Sequence, residues 1–311
     1  LIVSAVGLVG LGFDYNFKLY CRNRGFRKVL SLLPARSVDQ GMDYVVSLVE
    51  VNLASRLADG TIRAYQQALT LHLMPINLIG VAISNAAFPQ LTERLGEGRL
   101  DLFQKDLRSL LRIIFWMALP TSVVIFFTRG YIVHFIRNTG DQLMAGILGC
   151  LVVAILFRTI YHMAARAFYA RQDTKTPLYI SVFSISLNIA LAIILTMNLN
   201  MGAYGLAWAQ STVAVFEVVI LLLVMSKQMP RMFNRAFVKA IGKMIAASAV
   251  AGVVCYIGVS VMPFRDTDSS FFSAFPKFTI ISIVSFGVYL LMSKLLRLPE
   301  VDPILKKGKK L

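Results

Sequence analysis

The 311-residue sequence has only 3 cysteines and 3 histidines. Cys21, Cys150 and Cys255 lie far apart, at no metal-ligand spacing and in odd number. They build neither a disulfide framework nor a zinc site. Charge is also scarce, at 15% of residues against 57% hydrophobic ones, and acidic charge is scarcest: 16 Asp and Glu against 32 Lys and Arg. Nothing resembles G-x-x-x-x-G-K-[ST], which excludes a P-loop nucleotide site. No Ser/His/Asp set is arranged for nucleophilic catalysis, and the histidines are scattered. The chain therefore reads as no enzyme and as holding no cofactor. Any substrate it moves is driven by a gradient or by its own distribution. No soluble domain, low-complexity segment or convincing short repeat is present.

What is abundant is apolar length. Mean hydropathy is +0.68, more apolar surface than a soluble domain of this size can hide. Runs of about 20 apolar residues read as membrane-spanning helices. They fall at 33–57, 62–92, 107–136, 142–170, 177–198, 202–226, 237–262 and 273–296. The run 1–13 is too short to span and is expected to be the tail of a helix begun earlier. The predicted fold is all-α: a polytopic transmembrane bundle of eight full spans plus a partial first helix. Residues 14–32 form a basic linker, 33–228 a six-helix lobe, 229–298 two additional helices, and 299–311 a basic tail. Pro75 and Pro120 fall inside spans, where proline often marks a kink. The stretch 96–106, of mixed charge, is expected to be the longest cytoplasmic connection before the tail, a solvated amphipathic element.

The net charge of +16 would suggest nucleic acid in a soluble protein. Here the basic residues alternate between loops, so membrane topology and anionic headgroups explain them, and no nucleic-acid partner is expected. One side collects 24 of the 32 basic residues, from Lys18–Lys28, Arg94–Arg112, Arg166–Lys175, Lys227–Lys243 and Lys294–Lys310. The other side holds Arg56, Arg63, Arg129, Arg137, Arg265 and Lys277. By the positive-inside rule the tail is cytoplasmic.

Three constellations carry possible chemistry. Arg36, Asp39, Asp43 and Glu50 share one face of the first span, at offsets of 3, 7 and 14 residues. Acids at mid-bilayer cost about 2.5–3.5 kcal/mol each on insertion scales, so the stripe should face protein or water. Arg36 and Asp39 also suit a simple interfacial pair. Arg158, His162 and Arg166, at i, i+4 and i+8, form a basic ladder suited to an anion such as a pyrophosphate. The alternative has Arg166 snorkelling to the surface and His162 bonded to a neighbouring helix. Asn188, Gln210, Ser211 and Glu217 lie inside later spans. Such residues commonly glue helices together; with Glu50 they would instead offer oxygens to a monovalent cation.

Ala167-Phe168-Tyr169-Ala170-Arg171-Gln172-Asp173-Thr174-Lys175-Thr176-Pro177 resembles a cytoplasmic loop of the MurJ/MviN-type lipid II flippases. In it Thr176 is expected to cap the next helix, with Pro177 at its first position. The stretch from Pro75 to Glu93 (PINLIGVAISNAAFPQLTE) is similar to that family's eighth span. Tyr204-Gly205-Leu206-Ala207-Trp208-Ala209 is similar to the opening of its twelfth. The resemblance implies a two-lobed, fourteen-helix transporter of the multidrug/oligosaccharidyl-lipid/polysaccharide exporter superfamily, of which this chain is the C-terminal lobe. An Asp-Arg pair common before the proline is replaced here by Ala68-Leu69-Thr70-Leu71-His72. A sodium site known in the family uses an acid, an Asn and a second acid, and further oxygens. Glu50, Asn188 and Gln210 match, and the second acid falls at Ala192.

The implied function is to move lipid II, an undecaprenyl-pyrophosphate-linked peptidoglycan precursor, across the bacterial cytoplasmic membrane by alternating access. Arg36, Asp39, Asp43, Arg158 and Arg166 are the expected substrate contacts. Glu50, Asn188 and Gln210 are the expected ligands of a possible Na+. The partners are lipid II, membrane lipids and an N-terminal lobe absent from the sequence. The alternatives are a polysaccharide-lipid flippase or cation-coupled drug exporter of the same superfamily, or a non-transporting membrane scaffold.

Overall fold

The computed structural model describes residues 44–137, 141–229, 232–263 and 271–301. These contain α1 (Tyr44–Ser55), α2 (Thr61–Pro75), α3 (Ala82–Gly96), α4 (Leu100–Arg137) and α5 (Gln142–Ala170). They continue with α6 (Lys175–Ile193), α7 (Ala203–Gln228), α8 (Arg235–Val261) and α9 (Phe271–Leu295). Among the described residues there is no strand. Seven helices are long and apolar enough to cross a membrane, α2 and α3 running together as one. They coincide with the second to eighth expected spans. Of the first span, the described part is the shorter apolar helix α1.

Outward-facing surfaces explain why these helices need a membrane. Only 22% of the most apolar stretch of α9 is buried inside the bundle. Leu78, Val253, Val261 and Leu291 stand exposed on three of the spans. Apolar surface on that scale is not left to water.

α5 is the hub. It packs on α2, α3, α4 and α7, while α6 leans on α7. α8 and α9 pack on each other and join the rest through α4. Small residues permit the close approaches. A Cβ on Gly205 would meet the Leu195 and Thr196 backbone at 2.7–2.9 Å, and one on Gly80 the Thr159 backbone at 3.0 Å. Ser211 clasps α7 to α5, donating to the Cys150 carbonyl at 2.6 Å and accepting from the Ala154 N–H at 3.2 Å.

The prolines act through the carbonyls they free. Pro120 has no N–H for the carbonyl four residues back, that of Trp116. Tyr289 on α9 donates to that oxygen at 2.8 Å, and Trp116 Nε1–H donates to Ser293 at 3.2 Å. A helix-breaking residue thus becomes the docking point of the last helix. Pro75 is followed by one π-helical turn, Ile76–Val81, the irregularity expected there.

Two local expectations are corrected. The stretch 96–106 is a largely exposed amphipathic element, as expected, but not a long connection. The helix restarts at Leu100, and Phe103 and Leu107 are fully buried. At 38 residues α4 is about 57 Å long and projects well beyond a bilayer core. Second, Thr176 does not cap α6, which begins at Lys175. The N-cap position is Thr174, which makes no side-chain cap bond; Asp173 just before it accepts from the Thr176 N–H at 3.0 Å and from its hydroxyl at 2.7 Å.

The basic loops are cross-tied at one end of the bundle. Arg108 donates to the Met232 carbonyl, Arg171 to Gln228 and Lys243 to the Leu296 carbonyl. Arg112 pairs at 2.5 Å with Glu300, whose side chain is 6% exposed. These contacts gather the loops that the charge count assigned to one side.

Candidate functional site

A cavity of about 540 Å³ opens into the bundle between α1, α2, α5, α6 and α7. The π turn after Pro75 lends Ile76, Asn77 and Val81 to its wall. Gly80 lets that turn lie against Thr159, next to Arg158. The unusual backbone and the charged residue therefore come from one packing event.

The cavity's inner end is a chain of polar contacts across four helices. Glu50 of α1 is 2% exposed. One of its carboxylate oxygens accepts from the Tyr65 hydroxyl at 2.9 Å, the other from Gln210 Nε2 at 2.7 Å. Gln210 in turn accepts from Arg158 at 3.3 Å. Arg158 forms an ion pair at 3.5 Å with Glu217, which is buried. A buried acid needs compensation by hydrogen bonds or an opposite charge; Glu50 has two hydrogen bonds and Glu217 the Arg158 charge.

The opposite wall is basic and aromatic. His162 and Arg166 follow Arg158 along α5, beside Tyr161, Tyr169 and His72. Arg166 lies 5.5 Å over the Phe88 ring. Tyr161 and Ser181 hydrogen-bond at 3.2 Å, tying α5 to α6. On α6, Asn188 is 2% exposed, lines the cavity and has no hydrogen-bond partner for either side-chain atom among the described residues. Ser184, one turn before it, is likewise buried and unpartnered. Unmatched buried amides are rare, and these face the cavity.

Of the sequence-predicted residues, the structure brings together Glu50, Asn188, Gln210, Arg158 and Arg166. Arg36, Asp39 and Asp43 lie outside the described residues. The sequence analysis did not single out Tyr65 or Asn77. No sequence signal singled out Tyr65, whose hydroxyl is placed by the packing of α2 against α1.

As arranged here, the donor set does not suit a sodium ion. Glu50 accepts from a hydroxyl and an amide NH2, which turn hydrogens rather than lone pairs toward its carboxylate. Ala192, where the second acid would stand, is buried in an apolar cluster with Leu151 and Leu206. A guanidinium already sits beside the remaining oxygens.

Spanning helices packed around a polar cavity, with a π-helical turn in its wall, define a polytopic helical membrane protein. The family model for the lipid II flippase MurJ matches residues 1–275, and the chain belongs to that family. A probable lipid II flippase MurJ of Thermotoga maritima is 27% identical over 291 residues, covering 92% of this chain and 56% of that protein. The lipid II flippase MurJ of Burkholderia cenocepacia is 25% identical over 186 residues, covering 58% and 35%. Among solved structures, a lipid II flippase MurJ in an inward closed conformation superposes with a TM-score of 0.70 at 22% identity, covering 94% of this chain and 58% of that one. An outward-facing multidrug resistance MATE family transporter of the MOP superfamily gives 0.61 at 14% identity, covering 85% and 63%. The chain thus spans between about a third and less than two thirds of the length of these proteins. It is a multi-pass protein of the bacterial inner membrane.

Proposed function

We propose that the chain is the second lobe of a lipid II flippase. It moves an undecaprenyl-pyrophosphate-linked peptidoglycan precursor across the inner membrane, and no covalent bond changes. The observation that carries this reading is the cavity with Arg158, His162 and Arg166 along one face of α5, within an otherwise apolar bundle. A guanidinium offers paired, planar donors to phosphate oxygens. Arg166 and the aromatic wall guide the headgroup inward from the basic end. Arg158 meets it at the neck, where its present partners, Gln210 and Glu217, can exchange for phosphate oxygens. Asn188 and Ser184 supply neutral donors and acceptors to the sugar and amide groups.

The second wall of the cavity comes from an N-terminal lobe. The two lobes rock about the site, as transporters built from repeated halves do. Arg36, Asp39 and Asp43, which lie outside the described residues, are further substrate contacts in this reading. The lipid tail never enters the polar cavity. An apolar groove between α4 and α8, lined by Val123, Phe127, Gly252, Val253 and Tyr256, supports a path for it along the two additional helices. The 24 basic residues on one side support a cytoplasmic C-terminus.

Reconstitution tests this reading. Vesicles containing the full-length gene product should translocate labelled lipid II faster than protein-free vesicles. They should not speed a lipid with the same tail and no pyrophosphate. Equal rates with and without protein would contradict the proposal.

A further inference from the structure

Gln210 stands between two groups of opposite hydrogen-bonding character. A guanidinium only donates, and an ionised carboxylate only accepts. Arg158 therefore requires the Gln210 side-chain oxygen, and the same amide must turn its NH2 to Glu50. The distances agree: Oε1 lies 3.3 Å from Arg158 and Nε2 lies 2.7 Å from Glu50. The amide's orientation follows from its partners.

This has a consequence for cations. A monovalent cation in a protein is held by a shell of oxygens. Glu50 could begin such a shell with Asn188 Oδ1 and Ser184 Oγ, the unmatched oxygens of the same cavity. Gln210 would complete it only with its oxygen turned inward. Arg158 holds it the other way, and its own charge repels a second cation. Tyr65 adds another donor hydrogen at Glu50.

We propose that Arg158 is the resident counter-cation of this cavity: it fixes Gln210 oxygen-outward and so keeps the Glu50 end closed to Na+. Charge is balanced from within the chain, by Arg158 between Glu217 and, through Gln210, Glu50. Removing the guanidinium frees Gln210 to turn over about its last side-chain torsion. Glu50, Gln210, Asn188 and Ser184 then form an oxygen-rich pocket.

The test reads binding without transport. The thermal midpoint of the purified full-length gene product is measured in NaCl and in choline chloride at equal ionic strength. The wild type should show no Na+-specific shift. Arg158→Leu should gain a saturable Na+-specific rise of about 2–4 °C at roughly tenfold excess over its dissociation constant. Because loss of Arg158 strands Glu217 and threatens folding by that alone, Arg158→Leu/Glu217→Gln, which removes both members of the pair, is measured alongside with the same rise expected. A saturable Na+-specific rise in the wild type overturns the proposal, as does its absence from whichever of the two variants folds. Either outcome leaves lipid II translocation untouched, so this inference and the flippase reading fail separately.

Discussion

Gln210 donates its side-chain NH2 to Glu50 at 2.7 Å across 160 positions of sequence, joining α7 to α1 inside the membrane-spanning bundle. Through it the cation of α5 and the acid of α1 belong to one network. What happens at Arg158 is therefore felt at Glu50.

The ion pair at the end of that network should behave as a unit. Arg158→Leu leaves Glu217 buried without its partner, a loss on the order of 3–5 kcal/mol, lessened because the Arg158 side chain keeps 28% of its surface exposed. Glu217→Gln alone should cost less, and the double variant should recover most of the loss. A double-mutant cycle of thermal midpoints measures this. Strictly additive effects would mean the two side chains do not interact.

Tyr65→Phe removes one donor from Glu50 without changing the packing of the ring. A buried acceptor left short should cost about 1–3 kcal/mol. The thermal midpoint should then fall by a few degrees. An unchanged midpoint would show that water takes the place of the hydroxyl.

Close approach at Gly205 makes a size-dependent prediction. Gly205→Val drives a side chain into the Leu195 and Thr196 backbone, which cannot yield as a side chain does. A loss of about 1–3 kcal/mol or more is expected. Gly242→Ala on α8 has nothing within 4 Å of the new Cβ and should be neutral or slightly stabilising. Equal effects at the two sites would refute the packing argument.

The Asp173 carboxylate at the entrance to α6 predicts a pH dependence. Partial burial pushes this carboxyl up, but hydrogen bonds from the Thr176 side chain and backbone, with Gln228 and the Arg171 charge, outweigh it and hold it below its ordinary 3.8. A depressed folded-state value stabilises the fold above the unfolded value, and that stability is lost as pH falls through the folded one. The midpoint difference between wild type and Asp173→Ala should be constant near neutrality and shrink below about pH 4. A difference independent of pH down to 3 would mean the carboxylate's charge plays no part there.

The spans were legible because hydropathy is the property the bilayer selects. The convergence of Glu50, Asn188 and Gln210 was legible because polar residues inside spans have few places to go. Tyr65 was hidden because a tyrosine among Ala and Leu reads as packing until its hydroxyl is seen on Glu50. The length of the connection at 96–106 misled because its charges advertise a loop while Phe103 and Leu107, one turn apart, mark a buried face. The entrance to α6 misled because Thr and Asp are both good capping residues, and three residues of turn geometry decide between them. The tie between Pro120 and Tyr289 could not be read at all, since a freed carbonyl does not say which helix will claim it.

The most direct test of the account is rescue of cells depleted of their own lipid II flippase. The full-length gene should restore growth and cell shape, and Arg158→Ala, present in the membrane at equal level, should not. Failure of the well-expressed wild type, or full rescue by Arg158→Ala, would contradict it.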